Sequence, residues 1–392
     1  MPIAQKMSQF MEKSSWIRKM FEEGAKLKAQ YGAENVFDFS LGNPNVEPPS
    51  EFSETLIAYL NEPRPMKHGY MPNAGFPEVR ERIAEYLKKE QGTQISEDEV
   101  IMTCGAGGGL NVVFKAILNP GETVLCPSPY FVEYIFYTDN HGGKLETVPC
   151  REDLDLDVDL IASKITADTA AVLINSPNNP TGRVYPKKTI QKLANMLREK
   201  GKAVGRAIYL ISDEPYRKIV YDGVHVPSIL AAYEHSIIVN SYSKALSLAG
   251  ERIGFIAVNS HADHLKPLIG AMVLANRILG FVNAPASVQQ AVGRLQGITV
   301  DIGIYEKKRN MLCDALAAIG YDFAKPQGAF YLFPKSPIED DVAFCKILQE
   351  EKILAVPGRG FGGPGHFRLA YCVDDRVIEH SIPAFRKAWD RI

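Results

Sequence analysis

Short apolar runs recur along this chain, and a polar or glycine-rich cluster follows most of them. The runs are EVIMT at 99–103, TVLC at 123–126, AVLIN at 171–175, AIYLIS at 207–212, SIIVN at 236–240 and RIGFIAV at 252–258. Each is too short for a helix and rich in residues that suit a strand. Helical spacing appears between them. Val79, Ile83 and Leu87 follow Pro77 at a first-turn position, and Gly92 stops the pattern. LNVVFKAIL at 110–118 reads as a buried helix. Ile190, Leu193, Ala194 and Leu197 share one face, closed by Gly201. Continuous apolar strands separated by helices predict an α/β fold, a mainly parallel sheet flanked by helices on both faces.

The stretch before about residue 38 is charged and helical in pattern, and FDFSLGNPNVEPP then breaks regular structure. Past residue 286 helices lengthen and strands thin out, which predicts a smaller α+β domain. The expected division is a large ligand-binding domain at 46–285 and a small domain of 1–45 plus 286–392. No repeat or low-complexity tract interrupts this plan.

Composition narrows the class. The chain has 392 residues, 46% of them hydrophobic and 23% charged, as in ordinary globular proteins. Its 44 basic and 46 acidic residues give a net charge of −2, which argues against nucleic acid or an anionic membrane as partner. The six cysteines form no CxxC pair, a pattern poor for zinc and for a secreted disulfide framework. No run approaches the ~20 apolar residues of a membrane helix. The expectation is a cytoplasmic protein with no bound metal.

The chemistry collects at one edge. CGAGG, PSPYF, SPNNPTG, DEPY and SYSK follow five successive strands. In open α/β sheets the carboxyl ends of the strands are where ligands bind. Gly105, Ala106 and Gly107 join a strand to a helix start, where free N–H groups favour an anion; taken alone, a tight turn chosen for packing is as good a reading. The run is a poor dinucleotide fingerprint, because Leu110 stands where the last glycine belongs. Ser241 and Ser243 flank Lys244 with hydroxyls, and Arg252 offers a planar fork eight residues on. A lysine at a buried strand end is a Schiff-base candidate. Asp213 closes another strand with Tyr216 three residues later. Such a carboxylate, beside a lysine imine and a phosphate cup, is suited to hold a pyridine nitrogen protonated. Asn179 and Tyr216 are placed to donate to a phenolic oxygen, and Phe131 to stack on a ring, with core packing as its alternative. These features together describe pyridoxal 5′-phosphate.

On these motifs the chain resembles the class I/II aminotransferases of the aspartate aminotransferase superfamily, PLP fold type I. Tyr70-MPNA-Gly75, Thr103-Cys104-Gly105-Ala106, Pro127-Ser128-Pro129-Tyr130-Phe131, Asn178-Asn179-Pro180-Thr181-Gly182, Asp213-Glu214-Pro215-Tyr216, Ser241-Tyr242-Ser243-Lys244 with Arg252, and His366-Phe367-Arg368-Leu369 occur in the family's order. The resemblance covers roughly residues 35–390 and implies ping-pong transfer of an amino group between an L-amino acid and a 2-oxo acid through a Lys244 aldimine. It implies that Asp213 keeps the ring nitrogen protonated and that Tyr216 and Asn179 hold the ring phenolate. Ala106, Gly107, Ser241, Ser243 and Arg252 would hold the phosphate, with Phe131 stacking. Arg368, with the Gly42 backbone, would clamp the substrate α-carboxylate. Tyr70 would reach the neighbouring subunit's phosphate in a homodimer with shared active sites.

The departures from the family concern the substrate side chain. A lysine that reads a distal carboxylate in some members corresponds here to Gly107. Arg277, Arg359 and Arg18 are the candidates for that task, each with a surface arginine as its alternative. His261 and His264, on one expected helix face, lack further metal ligands. Glu339, Asp340 and Asp341 read as solvated charge. Three rivals stand beside transamination. A PLP lyase, decarboxylase or racemase would use the same motifs. A non-enzymatic ligand sensor would need a DNA-binding segment that the sequence does not display. A nicotinamide oxidoreductase fails at Leu110.

Overall fold

The computed structural model describes residues 3–13 and 15–392, with side chains outside 12–21. Seven strands form the central sheet: β1 (Val100–Thr103), β2 (Thr123–Ser128), β3 (Lys144–Pro149), β4 (Thr169–Asn175), β5 (Tyr209–Asp213), β6 (Ser236–Ser241) and β7 (Gly254–Val258). Their order is β1-β7-β6-β5-β4-β2-β3. The sheet is mainly parallel, as the sequence predicts, and β7 alone runs antiparallel to both its neighbours. The run containing it follows β6 after a short turn, with no helix long enough to carry the chain back across the sheet.

The sheet is covered on both sides, and alternate residues of each strand divide between the two cores. Val100, Met102, Leu125, Val172, Ile174, Leu210 and Ile238 face one cluster, with the helices Pro77–Gln91 and Lys187–Val204. Ile101, Val124, Leu173, Ile211, Val239 and Ile256 face the other, with the helices Gly105–Ile117 and Leu265–Ile278. The helix Ala286–Arg294, placed with the small domain by the sequence, sends Val288, Ala291 and Val292 into the first of these cores.

Several local expectations shift. Strand β3 was not foreseen, because it sits at the sheet edge, half exposed, without a continuous apolar run. Helix Pro77–Gln91 ends at Gly92 in the left-handed conformation, as its pattern predicts. The helix at 187 runs past Gly201 and closes instead at Gly205, at φ 74°. His261 and His264 precede the helix Leu265–Ile278 and do not share its face. Among the described residues no cluster of His, Cys, Asp or Glu is placed to hold a metal. Asp341 is fully buried, not solvated, because Arg359 pairs with it at 2.7 Å and donates its backbone N–H to it at 2.9 Å.

A third core holds the C-terminal region together. Leu312, Leu316, Phe330, Phe344, Phe367 and Phe385 pack there, joined by Phe39 from the N-terminal segment. The short strand Phe37–Asp38 pairs with Ile353–Leu354, which ties that segment to this region. The helix Gln5–Lys13 reaches the other way: Lys6 bonds Asp139 at 2.6 Å, and Phe10 meets Phe136 edge-on at 4.9 Å.

Candidate active site

A cavity of about 330 Å³ opens at the carboxyl ends of the central strands. All five clusters send residues to it: Ala106 and Gly107, Phe131, Asn179, Asp213 with Tyr216, and Ser241 with Ser243, Lys244 and Arg252. The C-terminal region closes the other side with Tyr331, Phe361 and Arg368, and the segment 40–42 completes it. Convergence of distant polar groups in one cavity is the usual form of a small-molecule site.

The acid wall is built from neighbouring strands. Asp213 ends β5, and its carbonyl accepts from Asn175 Nδ2 at 2.8 Å, at the end of β4. Asn175 Oδ1 accepts the Asn179 N–H at 2.7 Å, which fixes the loop after that strand. Asp213 Oδ2 accepts from Tyr134 Oη at 2.6 Å. Asp213 Oδ1 is buried with no partner. Burial lifts the Asp213 carboxyl to about 7; the Tyr134 bond opposes this and Glu214 adds to it. A buried carboxylate that lines the cavity and has one oxygen without a partner fits a protonated ring nitrogen.

Lys244 lies one short turn past β6, and its Nζ donates to the Gly42 carbonyl at 2.8 Å. Burial lowers its pKa to about 8; Cys372 opposes the shift, while Arg368 and Arg252 reinforce it. A lysine poised near neutrality can act as nucleophile and as proton carrier. Its ammonium also lies over the Phe330 ring, 5.4 Å from the centroid.

The glycine-rich cluster lies where the helix Gly105–Ile117 begins. Ala106 and Gly107 occupy its first turn, where N–H groups have no intrahelical partner. Gly105 lies behind the cavity lining, and a Cβ there would stand 2.8 Å from Arg252 Nη2. Arg252 donates to the Ala249 carbonyl at 3.0 Å and keeps its remaining N–H groups for the cavity. Gly42 has a steric reason to be glycine, since a Cβ would meet Tyr331 Oη at 2.0 Å.

Arg368 is buried between two rings, 4.5 Å from the Phe361 centroid and 4.8 Å from that of Tyr331. It donates to Asn179 Oδ1 at 3.1 Å and to the Ser40 carbonyl at 2.7 Å, and its Nε has no partner. Asp38 braces Ser40, accepting its N–H at 3.0 Å, and pairs with Lys28 at 2.7 Å. Tyr216 Oη and Tyr331 Oη are 2.8 Å apart, and burial pushes the Tyr216 phenol well up.

The remaining predicted residues divide. Phe131 lines the cavity and meets Tyr134 edge-on at 5.5 Å. Tyr70 is outside the cavity of its own chain and is 89% exposed. Arg359 is engaged by Asp340 and Asp341, and Arg277 is exposed away from the cavity. The Arg18 side chain lies outside the described residues. Sequence reading missed Tyr134, Asn175, Tyr331 and the Ser40 carbonyl. Tyr134 had a signal, three residues past Phe131; Tyr331 had none.

The family model for aminotransferase class I and II matches residues 34–385. The chain belongs to that family. It is an enzyme, an aminotransferase dependent on pyridoxal 5′-phosphate. It is 33% identical to the aspartate/prephenate aminotransferase of Thermus thermophilus, over 89% of this chain and 90% of that one. It is 31% identical to the probable aspartate aminotransferase of Methanocaldococcus jannaschii, over 91% and 94%. Among solved structures, an amino transferase from Eubacterium rectale superposes with a TM-score of 0.97 at 41% identity, covering 100% of this chain and 99% of that one. The Thermus thermophilus aspartate aminotransferase with maleate superposes at 0.84 and 29% identity, over 95% and 96%. These likenesses agree with the α/β sheet flanked by helices. In this aminotransferase the unpartnered Asp213 oxygen, the glycine-lined helix start and the unpartnered Arg368 Nε are features that suit the cofactor and a carboxylate substrate.

Proposed function

We propose that Lys244 is the residue on which this aminotransferase moves an amino group between an L-amino acid and a 2-oxo acid. The observation that carries this is Lys244 and Asp213, with its unpartnered oxygen, lining one cavity together with Arg368. When bound, pyridoxal phosphate supplies an aldehyde to take up the amino group and a ring that withdraws electrons. Asp213 offers Oδ1 to the ring nitrogen. Tyr216 and the Asn179 amide donate toward the phenolic oxygen. Ala106, Gly107, Ser241, Ser243 and Arg252 receive the phosphate, with Gly105 shaping the turn, and Phe131 covers the ring. Arg368 takes the α-carboxylate in a planar fork beside Gly42. Lys244 Nζ would take up the proton removed from the substrate α-carbon and, as the one amine among the described residues that line the cavity, would also give it back to complete the transfer. Tyr331 and Phe361 exclude water from this end.

We further propose a homodimer in which the exposed Tyr70 reaches the partner's phosphate site. The six cysteines are free thiols, which suits the cytoplasm. Among the described residues no helix is long and apolar enough to cross a membrane. The large domain is taken as 46–285 extended through the helix to Arg294, and the small domain as the rest, with the helix Gln5–Lys13 lying against the large one. The relatives are named for aspartate, which is the reference donor in any comparison of substrates.

The test is the visible spectrum of the cofactor-loaded protein as single amino acids are added. The band should bleach with an amino acid and return with a 2-oxo acid. Lys244→Ala should cut turnover roughly 10²–10⁴-fold with an unchanged circular dichroism spectrum. Substantial transfer by that variant sinks the role of Lys244, and ammonia release from a single substrate would signal a lyase.

A further inference from the structure

One carboxylate in the active-site cavity has no part in the scheme above. Glu133 lines the cavity and is half-buried. Among the described residues it has neither hydrogen bond nor ion pair, and burial alone lifts its pKa. No cation of the cavity pairs with Glu133: Lys244 donates to Gly42, Arg252 to Ala249, and Arg368 to Asn179 and Ser40.

Tyr137 stands one helical turn further along Glu133–Asp139, so the two side chains share a face. It too lines the cavity. A Cβ on Gly107 would lie 2.9 Å from Tyr137 Oη, so the phenol occupies the space beside the glycine. Lys6 and Phe10 grip the same helix from behind, through Asp139 and Phe136, which holds this wall in place. The corner therefore presents a carboxylate without an ion pair beside a phenol oxygen, and Arg252 is near enough to act only on the phenol.

We propose that Glu133 and Tyr137 form the side-chain subsite of this aminotransferase, selecting amino acids that end in a cationic nitrogen and rejecting dicarboxylic ones. This rests on the proposed function, because it presumes that Arg368 holds the α-carboxylate. An ionised carboxylate only accepts hydrogen bonds, and an ammonium or guanidinium completes it with a charge-assisted pair. A second carboxylate brought to the same corner meets like charge, which is discrimination by repulsion. Both half-reactions use one cavity, so the 2-oxo acid acceptor should also lack a second carboxylate.

The test uses the cofactor-loaded enzyme and calorimetric titration with α-methylornithine and α-methylglutamate. Neither has an α-proton, so binding is read apart from transfer. The wild type should bind α-methylornithine at least about tenfold tighter. Glu133→Gln should bring the two within about threefold, and Glu133→Lys should reverse the order. Tighter or equal binding of α-methylglutamate by the wild type overturns the proposal. So does failure of both compounds to bind, or an unchanged order in both well-folded variants, which would leave Glu133 as a helix-start residue only. If ornithine binds in the expected order yet yields no 2-oxo product, the aminotransfer role assigned to the site fails while the subsite stands.

Discussion

Asp213 and Arg368 are buried ions of opposite sign lining one cavity, and each keeps a single polar atom without a partner. They are held in different ways. Asp213 is set by its own sheet: Asn175 on the adjacent strand and Tyr134 just past β2. Arg368 is set by four separated segments, which supply Ser40, Asn179, Tyr331 and Phe361. They also answer burial differently. A carboxylate can shed its charge by taking a proton, and Asp213 moves to about 7. A guanidinium cannot give up its proton in the accessible range. One wall can therefore shed its charge, while the other keeps it.

The largest expected effect separates the two by pH. Asp213 binds its proton up to about 7 in the native protein, against 3.8 for an ordinary aspartate. Between those values the native state holds more protons than the unfolded state, so cofactor-free protein loses stability as pH rises. The contribution is full below the lower value and gone above the upper one, roughly 4 kcal/mol at most. Asp213→Asn should flatten that slope in urea titrations across the window. An unaltered slope would mean that Asp213 is not the strained group. A variant of Arg368 should leave the slope alone.

Arg368→Lys should act on the other wall, lowering kcat/KM for all amino acids by roughly 10–100-fold, about 1.4–3 kcal/mol. A point charge replaces a fork already oriented by two rings. If only acidic substrates suffered, Arg368 would be reading a side chain and not the α-carboxylate. The smallest effect is Tyr134→Phe, which removes the bond to Asp213 Oδ2 and should weaken cofactor binding about 5–10-fold, near 1 kcal/mol. Equal affinity in equilibrium dialysis would show that Asn175 alone positions the acid.

The same contrast runs through what could be read in advance. Residues held by local order were legible. The helix after Pro77, its end at Gly92, and the clusters behind the strands all follow from spacing within a few residues. Edge strand β3 was not, because a half-exposed strand lacks the apolar run that marks a buried one. Gly201 and Gly205 are both plausible helix ends, and the choice depends on which can turn left-handed against its neighbours.

By itself the sequence determined that an α/β sheet would form, and that glycines, hydroxyls, Asp213 and Lys244 would gather at its carboxyl edge. Those properties depend on side-chain period and on contacts between successive strands. Only the tertiary structure decided that Tyr331 lies against Gly42 and Arg368, that Arg359 is spent on buried Asp341, and that Glu133 faces the cavity unpaired. Burial and partnership across hundreds of residues set those outcomes, and no local pattern encodes how much water a given side chain will lose.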